Sequence, residues 1–451
     1  MEKKRSNFSN KLGFIMAAAG SAVGLGNLWR FPYLAAKHGG GIFLLLYLIL
    51  AVTLGFTLMV SEISLGRKTR LSVIGAYEAL DKRVSFLGYL ASVVPFIIVP
   101  YYCVIGGWVL KYLTVFVSNQ ASAAASDDYF TQFITQAGSP LVCFLIFAGC
   151  TVFIVLWGVS NGIERVSKIL MPVLVVLSIV IAVFVLMQPG AMEGVTYYLR
   201  PDFSRFSATT LLAAMGQLFY SMSLSMGIMI TYGSYMKSED NMEQSVRHIE
   251  LFDTGIAFLA GLMIVPSVFI FSGGDESALG KGPSLMFVTL PKVFDAMAFG
   301  TVIGVVFFLL VLFAALTSSI SLTEACVSIV QDKTKCSRRT GCLSVAAIMA
   351  LLGIPTCLGF GVLDFISPFH MSLLDFFDFV SNSILMPVIA LLTCIFIGYV
   401  IKPKAIIEEV ELNGKFKMKT FYTIMIRWIA PVCLVAILIF SVMETLGYIK
   451  V

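Results

Sequence analysis

The sequence predicts an all-α, polytopic membrane protein with eleven transmembrane helices, and three observations carry that prediction. Of the 451 residues, 58% are hydrophobic and only 13% are charged, a balance that no soluble core of this length requires. Apolar runs long enough to cross a bilayer recur along nearly the whole chain. The basic residues gather in alternate connections between those runs.

The elements follow in order from these runs and their polar punctuation. The candidate spans are 11–36, 41–67, 87–117, 139–158, 165–188, 209–236, 250–273, 296–331, 341–358, 371–400 and 420–446. A short basic tail with Lys3, Lys4, Arg5 and Lys11 precedes the first, and no cleavable signal peptide is expected. Arg67, Lys68, Arg70, Lys82 and Arg83 separate the second from the third, and Arg165 with Lys168 marks the entry to the fifth. Lys237 and Arg247 follow the sixth, Lys333, Lys335, Arg338 and Arg339 the eighth, and Lys402, Lys404, Lys415, Lys417 and Lys419 the tenth. With the N-terminus inside, all of these are cytoplasmic, while the outer connections hold Lys37, Arg200, Arg205, Lys281, Lys292 and Lys450. The asymmetry predicts N-terminus inside and C-terminus outside. The net charge of +5 therefore reports orientation, and nothing points to nucleic acid.

The nine cysteines fall mostly within spans, and none lies in the long outer loop 118–138, so no extracellular disulfide framework is expected. The sequon Asn7-Phe8-Ser9 falls on the cytoplasmic side. Both features favour a bacterial inner-membrane protein over a glycosylated animal one.

Two helices break the rule that membrane backbone must satisfy its own hydrogen bonds. The first contains GSAVGLGNLWRFPY, residues 20–33, and the sixth contains GQLFYSMSLSMGIMITYGSY, residues 216–235, where Ser221, Ser223, Ser225 and Gly227 interrupt the apolar run. These are corresponding positions of two five-helix halves, a pattern that points to an inverted-repeat secondary transporter. Small residues in a membrane helix also serve close packing, and spacing alone leaves both readings open. The expected organisation is one integral domain over 1–451, with repeat one at about 11–188, repeat two at about 209–400 and an extra helix at about 420–446.

The segments AVGLGNLWRFPYLAAKHGGGIFLLLY, GQLFYSMS, TYGSY and FAALTSSIS, the last at 313–321, resemble the neurotransmitter:sodium symporter family from the tail through the tenth span. The resemblance implies the 5+5 inverted-repeat fold of the leucine-transporter type, with discontinuous helices 1 and 6. It also implies two sodium ions as coupled cargo. One site would use the carbonyls of Gly20, Val23 and Ala314 with the hydroxyls of Thr317 and Ser318, hard neutral oxygens suited to a small cation. Hydroxyls in an apolar helix also bond back to the preceding turn, the competing reading for Thr317 and Ser318. The other site would use the carbonyl of Ala22, the side chains of Asn27 and Ser221, the substrate carboxylate and Asp253.

Asp253 departs from the asparagine found in many family members. Animal relatives place chloride near this site, and the equivalents of its ligands would be Tyr47, Gln217 and Ser221. A fixed carboxylate supplies that charge covalently, so no chloride requirement is expected. An aspartate facing cytoplasmic water at a helix end, close to Glu250, is the plainer alternative for this residue.

By the same resemblance, the amides near Leu25 and Gly26 and the phenol of Tyr102 would hold a substrate carboxylate, and the carbonyls of Ala22, Tyr220 and Ser223 its ammonium. Gly24 stands where monoamine carriers of the family have an aspartate, which implies an amino acid substrate. Ile98, Tyr102, Tyr220, Met226 and Leu322 would line the side-chain pocket, with Ser221 and Ser318 at its margins. That lining suits a hydrophobic or aromatic L-amino acid. Arg30 is expected to meet Asp378 on the outer side, with Asp375 as competitor and Phe219 or Tyr220 in the lid; on the inner side Arg5 would pair with Asp332 near Tyr235. Glu62 would bond the unwound sixth span, and Phe8 would plug the inner pathway.

The expected function is sodium-coupled symport of such an amino acid into the cell by alternating access. An enzyme is not expected: His38, His248 and His370 are scattered, and GGDESALGKGPS lacks the glycine and hydroxyl of a phosphate loop. A proton-coupled carrier of the same overall fold and a solute sensor are the alternatives. The expected partners are the amino acid and the lipid bilayer, with oligomeric state open.

Overall fold

The computed structural model describes residues 7–273 and 283–445. Arg5 and the glycine-rich stretch around Asp275 and Gly280 lie outside them. The described residues are helical throughout, apart from turns, connections and one isolated antiparallel bridge between Gly40 and Pro201.

Among the described residues nine helices are long and apolar enough to cross a membrane, from Gly41–Thr69 to Lys419–Met443, and the bent pair Lys11–Ala22 with Gly26–Lys37 makes a tenth such segment. The expected sixth span is two short helices, Ala208–Ser221 and Ile228–Tyr235. An eleven-crossing count requires this pair to act as one crossing. The ordinals below follow chain order on that basis.

Burial separates the segments by role. Every residue from Gly13 to Ala22 is buried, so the first segment lies at the centre of the molecule. On the fifth segment Val176, Ile179, Val180 and Val183 are exposed at i, i+3, i+4 and i+7, one apolar stripe turned outward. An outward apolar face of this kind suits lipid.

The second and sixth segments approach backbone to backbone. A Cβ on Gly66 would lie 1.8 Å from the Ile230 carbonyl oxygen, and one on Gly233 would lie 2.3 Å from that of Ile63. Only glycine permits such contact. Buried Arg67, at the end of the second segment, reinforces it: its Nε donates to Glu409 at 2.7 Å and its Nη1 to the Asp240 carbonyl at 2.9 Å.

The seventh segment starts earlier than the apolar run suggests. Its helix spans Met242–Ser272, because the Asn241 side chain caps it by accepting from the Gln244 amide at 2.9 Å. Asp253 therefore sits about three turns inside the helix rather than at its end.

Candidate functional site

The two interrupted helices meet side by side. The first stops at Ala22, passes through Val23 in an extended conformation, and resumes at Gly26 with a 52° bend. In the sixth, Ser223, Ser225 and Gly227 take φ values of 53°, 61° and 72°. Left-handed backbone is costly for serine, and hydrogen bonds hold both serines there. The Ser225 amide donates to Glu62 Oε1 at 2.6 Å, as expected of Glu62, and the Ser223 hydroxyl donates to the Ser21 carbonyl at 3.0 Å.

A first polar cluster forms on one side of the break. The Asn27 amide donates to Asp253 Oδ1 at 2.8 Å and to Ser221 Oγ at 2.9 Å, while the Ser221 hydroxyl donates to Asp253 at 2.9 Å. Tyr47 adds a hydroxyl bond to Asp253 Oδ2 at 3.2 Å. Asp253 is 0% exposed, which excludes the water-facing alternative. Gln217 bonds the Gly26 carbonyl at 2.9 Å and leaves its own carbonyl oxygen buried without a partner. Thus Asn27, Ser221 and Asp253 are brought together, with Ala22 on the adjoining cavity wall.

A second cluster joins the first segment to the eighth. The Ser318 hydroxyl lies 3.4 Å from the Gly20 carbonyl, 3.0 Å from that of Ser21 and 3.4 Å from that of Val23. Thr317 instead bonds back to Phe313 at 3.0 Å and Ala314 at 3.1 Å. Back-bonding and ion binding are compatible, since a hydroxyl that parks its proton on a carbonyl keeps lone pairs for a cation.

Between the clusters lies a small cavity. Ala22, Gly24, Leu25, Gly26, Ile98, Tyr102, Tyr220, Ser223, Met226, Ser318 and Leu322 line it, together with Ser21 and Ile228. Tyr102 accepts the Leu25 amide at 3.2 Å, so its phenol sits on the unwound backbone. A Cβ on Gly24 would meet Ser318 Oγ at 2.7 Å and the Tyr102 hydroxyl at 2.9 Å. Ser221 is the exception among the expected residues: its hydroxyl is spent on Asp253, and it faces away from the cavity. The lining carries no ionisable acid or base apart from the phenols.

At the end of the molecule that bears the N-terminal tail, Phe8 is 1% exposed and packs edge-on against Phe14, Tyr232 and Tyr235. The Tyr235 hydroxyl donates to Glu324 at 2.7 Å, and Arg338 pairs with the same carboxylate at 2.5 Å. Asp332 accepts the Ser72 amide at 2.6 Å. Its expected partner Arg5 is outside the described residues.

At the opposite end Arg30 and Asp378 form no ion pair. The Arg30 guanidinium lies 5.3 Å over the Tyr220 ring, and Asp378 is held by Tyr101 at 3.2 Å and Asn382 at 2.5 Å. Both neutral donors serve Oδ1 of the carboxylate, where the sequence reading expects a cation. Asp375 is no substitute, since it is engaged by Ser372 at 2.7 Å.

Sequence reasoning missed several members of this constellation. Ser21 and Ile228 adjoin the breaks and were findable as neighbours of interrupted backbone. Glu164, which accepts the Ser9 amide at 2.8 Å, and Glu324, which is 0% exposed, are carboxylates inside apolar segments, a signal in its own right. Tyr101 and Asn382 carried no such signal.

Comparison with known proteins gives a consistent picture. The model of the sodium:neurotransmitter symporter family matches residues 5–136 and 130–450. A protein of Bacillus subtilis (strain 168), named an uncharacterized sodium-dependent transporter, is 35% identical over 97% of this chain and 97% of its own length. A relative of the same description from Methanocaldococcus jannaschii is 32% identical over 99% of this chain and 92% of its own. Among solved structures, that of MhsT in complex with L-phenylalanine superposes with a TM-score of 0.87 at 36% identity, covering 97% of this chain and 99% of that one.

Proposed function

The chain belongs to the sodium:neurotransmitter symporter family, a family of transporters rather than enzymes, and from that premise we propose that it carries a hydrophobic or aromatic L-amino acid into the cell together with sodium. The observation that carries this reading is the cavity between the two helix breaks, whose wall, among the described residues, carries no ionisable acid or base other than phenols. Such a wall offers no partner to a charged side chain. The phenylalanine complex of the similar MhsT supports the same substrate class.

In this reading the substrate carboxylate lies by the amides of Leu25 and Gly26 and by Tyr102, and its ammonium by the carbonyls of Ala22, Tyr220 and Ser223. One sodium ion sits among Ala22, Asn27, Ser221, Asp253 and the substrate carboxylate. The second sits among the carbonyls of Gly20, Val23 and Ala314 and the hydroxyls of Thr317 and Ser318. Because the first ion shares its ligands with the substrate, each strengthens the binding of the other. Phe8 is buried at the tail end, while Arg30 and Tyr220 border a cavity at the other end, an asymmetry that supports alternating access around this fixed site.

Transport without chloride follows from the first cluster. Tyr47 and Ser221 already donate to Asp253, which takes both hydroxyl donors away from an anion. Two like unit charges about 4 Å apart would repel by roughly 4 kcal/mol at an effective dielectric near 20. The charge asymmetry of the connections supports an inner-membrane protein with eleven crossings, its tail cytoplasmic and its C-terminus outside. The residues form one transporter domain, with repeats at about 11–188 and 209–400.

The test is uptake of labelled L-amino acids into proteoliposomes, with sodium or choline outside and chloride replaced by gluconate. Concentrative uptake that needs sodium and ignores chloride is expected. Uptake that persists in choline and follows a pH gradient would replace this reading with a proton-coupled carrier. Saturable binding without accumulation would leave a solute sensor.

A further inference from the structure

The carboxylate expected to meet Arg30 is already engaged. Asp378 accepts from the Tyr101 hydroxyl at 3.2 Å and from the Asn382 amide at 2.5 Å, and the same amide donates to Tyr101 at 3.2 Å. The three side chains close a triangle of neutral donors on one carboxylate. Arg30 and Asn382 border one small cavity, with Phe219, Tyr220 and Met386 among the other walls. Within that cavity Arg30 rests on the Tyr220 ring, 5.3 Å from its centre, and forms no ion pair among the described residues.

Two further observations make this arrangement a poised one. The carbonyl oxygen of Asn382 is buried without a hydrogen-bond partner, an orphan acceptor of a kind native proteins rarely tolerate. A guanidinium presents five donors in a fixed fork, enough to serve that oxygen and the Asp378 carboxylate together. A guanidinium meets a carboxylate with full charge on both partners and in bidentate geometry, which the present neutral donors cannot do. Tyr101 also precedes Tyr102, and adjacent helix residues point about 100° apart. Tyr102 takes the Leu25 amide at the first break, so one turn of the third segment touches both the ligand cavity and the gate carboxylate.

We propose that Tyr101 and Asn382 are positioning residues of the outer gate: they hold Asp378 off Arg30, and the gate closes when the carboxylate and the Asn382 carbonyl oxygen are handed over to the guanidinium. This rests on the transport reading for its purpose, but the geometry it asserts is independent of any ligand. Removing the Tyr101 hydroxyl weakens the hold and favours the closed gate. The effect requires Arg30 as the receiving group.

Hydrogen–deuterium exchange of the full-length protein in nanodiscs, without added amino acid, tests this with Tyr101→Phe and with the double variant Tyr101→Phe/Arg30→Ala. Tyr101→Phe keeps the ring and its packing. Exchange in residues 26–37 and 373–382 is expected to slow at least threefold in Tyr101→Phe and to return to the wild-type rate in the double variant. Unchanged or faster exchange in Tyr101→Phe overturns the proposal, as does slowing that survives loss of Arg30, since a merely structural role for the hydroxyl would not depend on that residue. Release of labelled L-phenylalanine, measured alongside, is expected to slow in the same variant and the same Arg30-dependent way. Failure of the wild type to retain any amino acid would count against the transport reading alone, because the exchange arm still decides the gate.

Discussion

Asn27 donates its side-chain amide to the Asp253 carboxylate at 2.8 Å and so ties the first helix break to the seventh segment. The bond places a fixed negative charge where Ser221 and Tyr47 also point their hydroxyls. Several outcomes depend on that placement and on its counterparts elsewhere.

Asp253→Asn removes the charge while keeping the shape. Transport by this variant is expected to fall at least tenfold in gluconate and to recover partly when chloride is restored, because the anion can then take the vacated donors. Equal activity of variant and wild type in gluconate would show that the carboxylate does not stand in for an anion.

Ser318→Ala deletes the hydroxyl that reaches the carbonyls of Gly20, Ser21 and Val23. The sodium concentration giving half-maximal uptake is expected to rise about tenfold, equivalent to ~1.4 kcal/mol. Thr317→Val tests the second hydroxyl in the same way. A sodium dependence untouched by both changes would remove this cluster from the coupling site.

Gly24→Asp places a side chain where Ser318 Oγ and the Tyr102 hydroxyl leave only 2.7 and 2.9 Å. Amino acid uptake should drop more than tenfold, while Gly24→Ala should show a smaller loss. Full uptake by the aspartate variant would contradict the cavity assignment.

Arg67 is fully buried and its pair with Glu409 spans 2.7 Å. Removing either partner leaves an uncompensated buried charge, with a cost of about 3–5 kcal/mol. Thermal unfolding in detergent should show Glu409→Ala strongly destabilised and Glu409→Gln less so.

His38 follows the second half of the first segment, and burial, then the neighbouring Lys37, pushes its imidazole down to about 4. From its ordinary value of about 6.5 down to that point, the unfolded chain binds a proton that the folded chain excludes. Stability is therefore expected to fall as pH drops through this window and to be whole above it. His38→Asn should flatten the pH profile of thermal unfolding; a profile unchanged in the variant would sink the idea.

Much of the site was legible because its residues are chemically out of place. Asn27, Asp253 and Glu62 are polar groups in apolar runs, and Gly24, Gly26 and Gly227 are helix breakers there; each stands out before any folding is known. Tyr101 did not stand out, since a tyrosine beside Tyr102 in an apolar helix has an ordinary packing explanation. The start of the seventh helix at Met242 was also hidden, because a side-chain cap at Asn241 extends it past the apolar run.

By itself the sequence determined the membrane class and the positions of the two breaks, because hydropathy and helix breaking are local properties of composition and spacing; the residues expected around the breaks came from the resemblance to a family. Which partner each polar group takes was decided by the tertiary structure alone. Ser221 turns to Asp253 rather than to the cavity, Thr317 bonds its own helix while Ser318 crosses to the first segment, and Asp378 takes Tyr101 and Asn382 instead of Arg30. In a water-poor interior each buried donor and acceptor must find a partner within about 3 Å, and which group stands that close depends on how distant segments pack, a relation that no local pattern records.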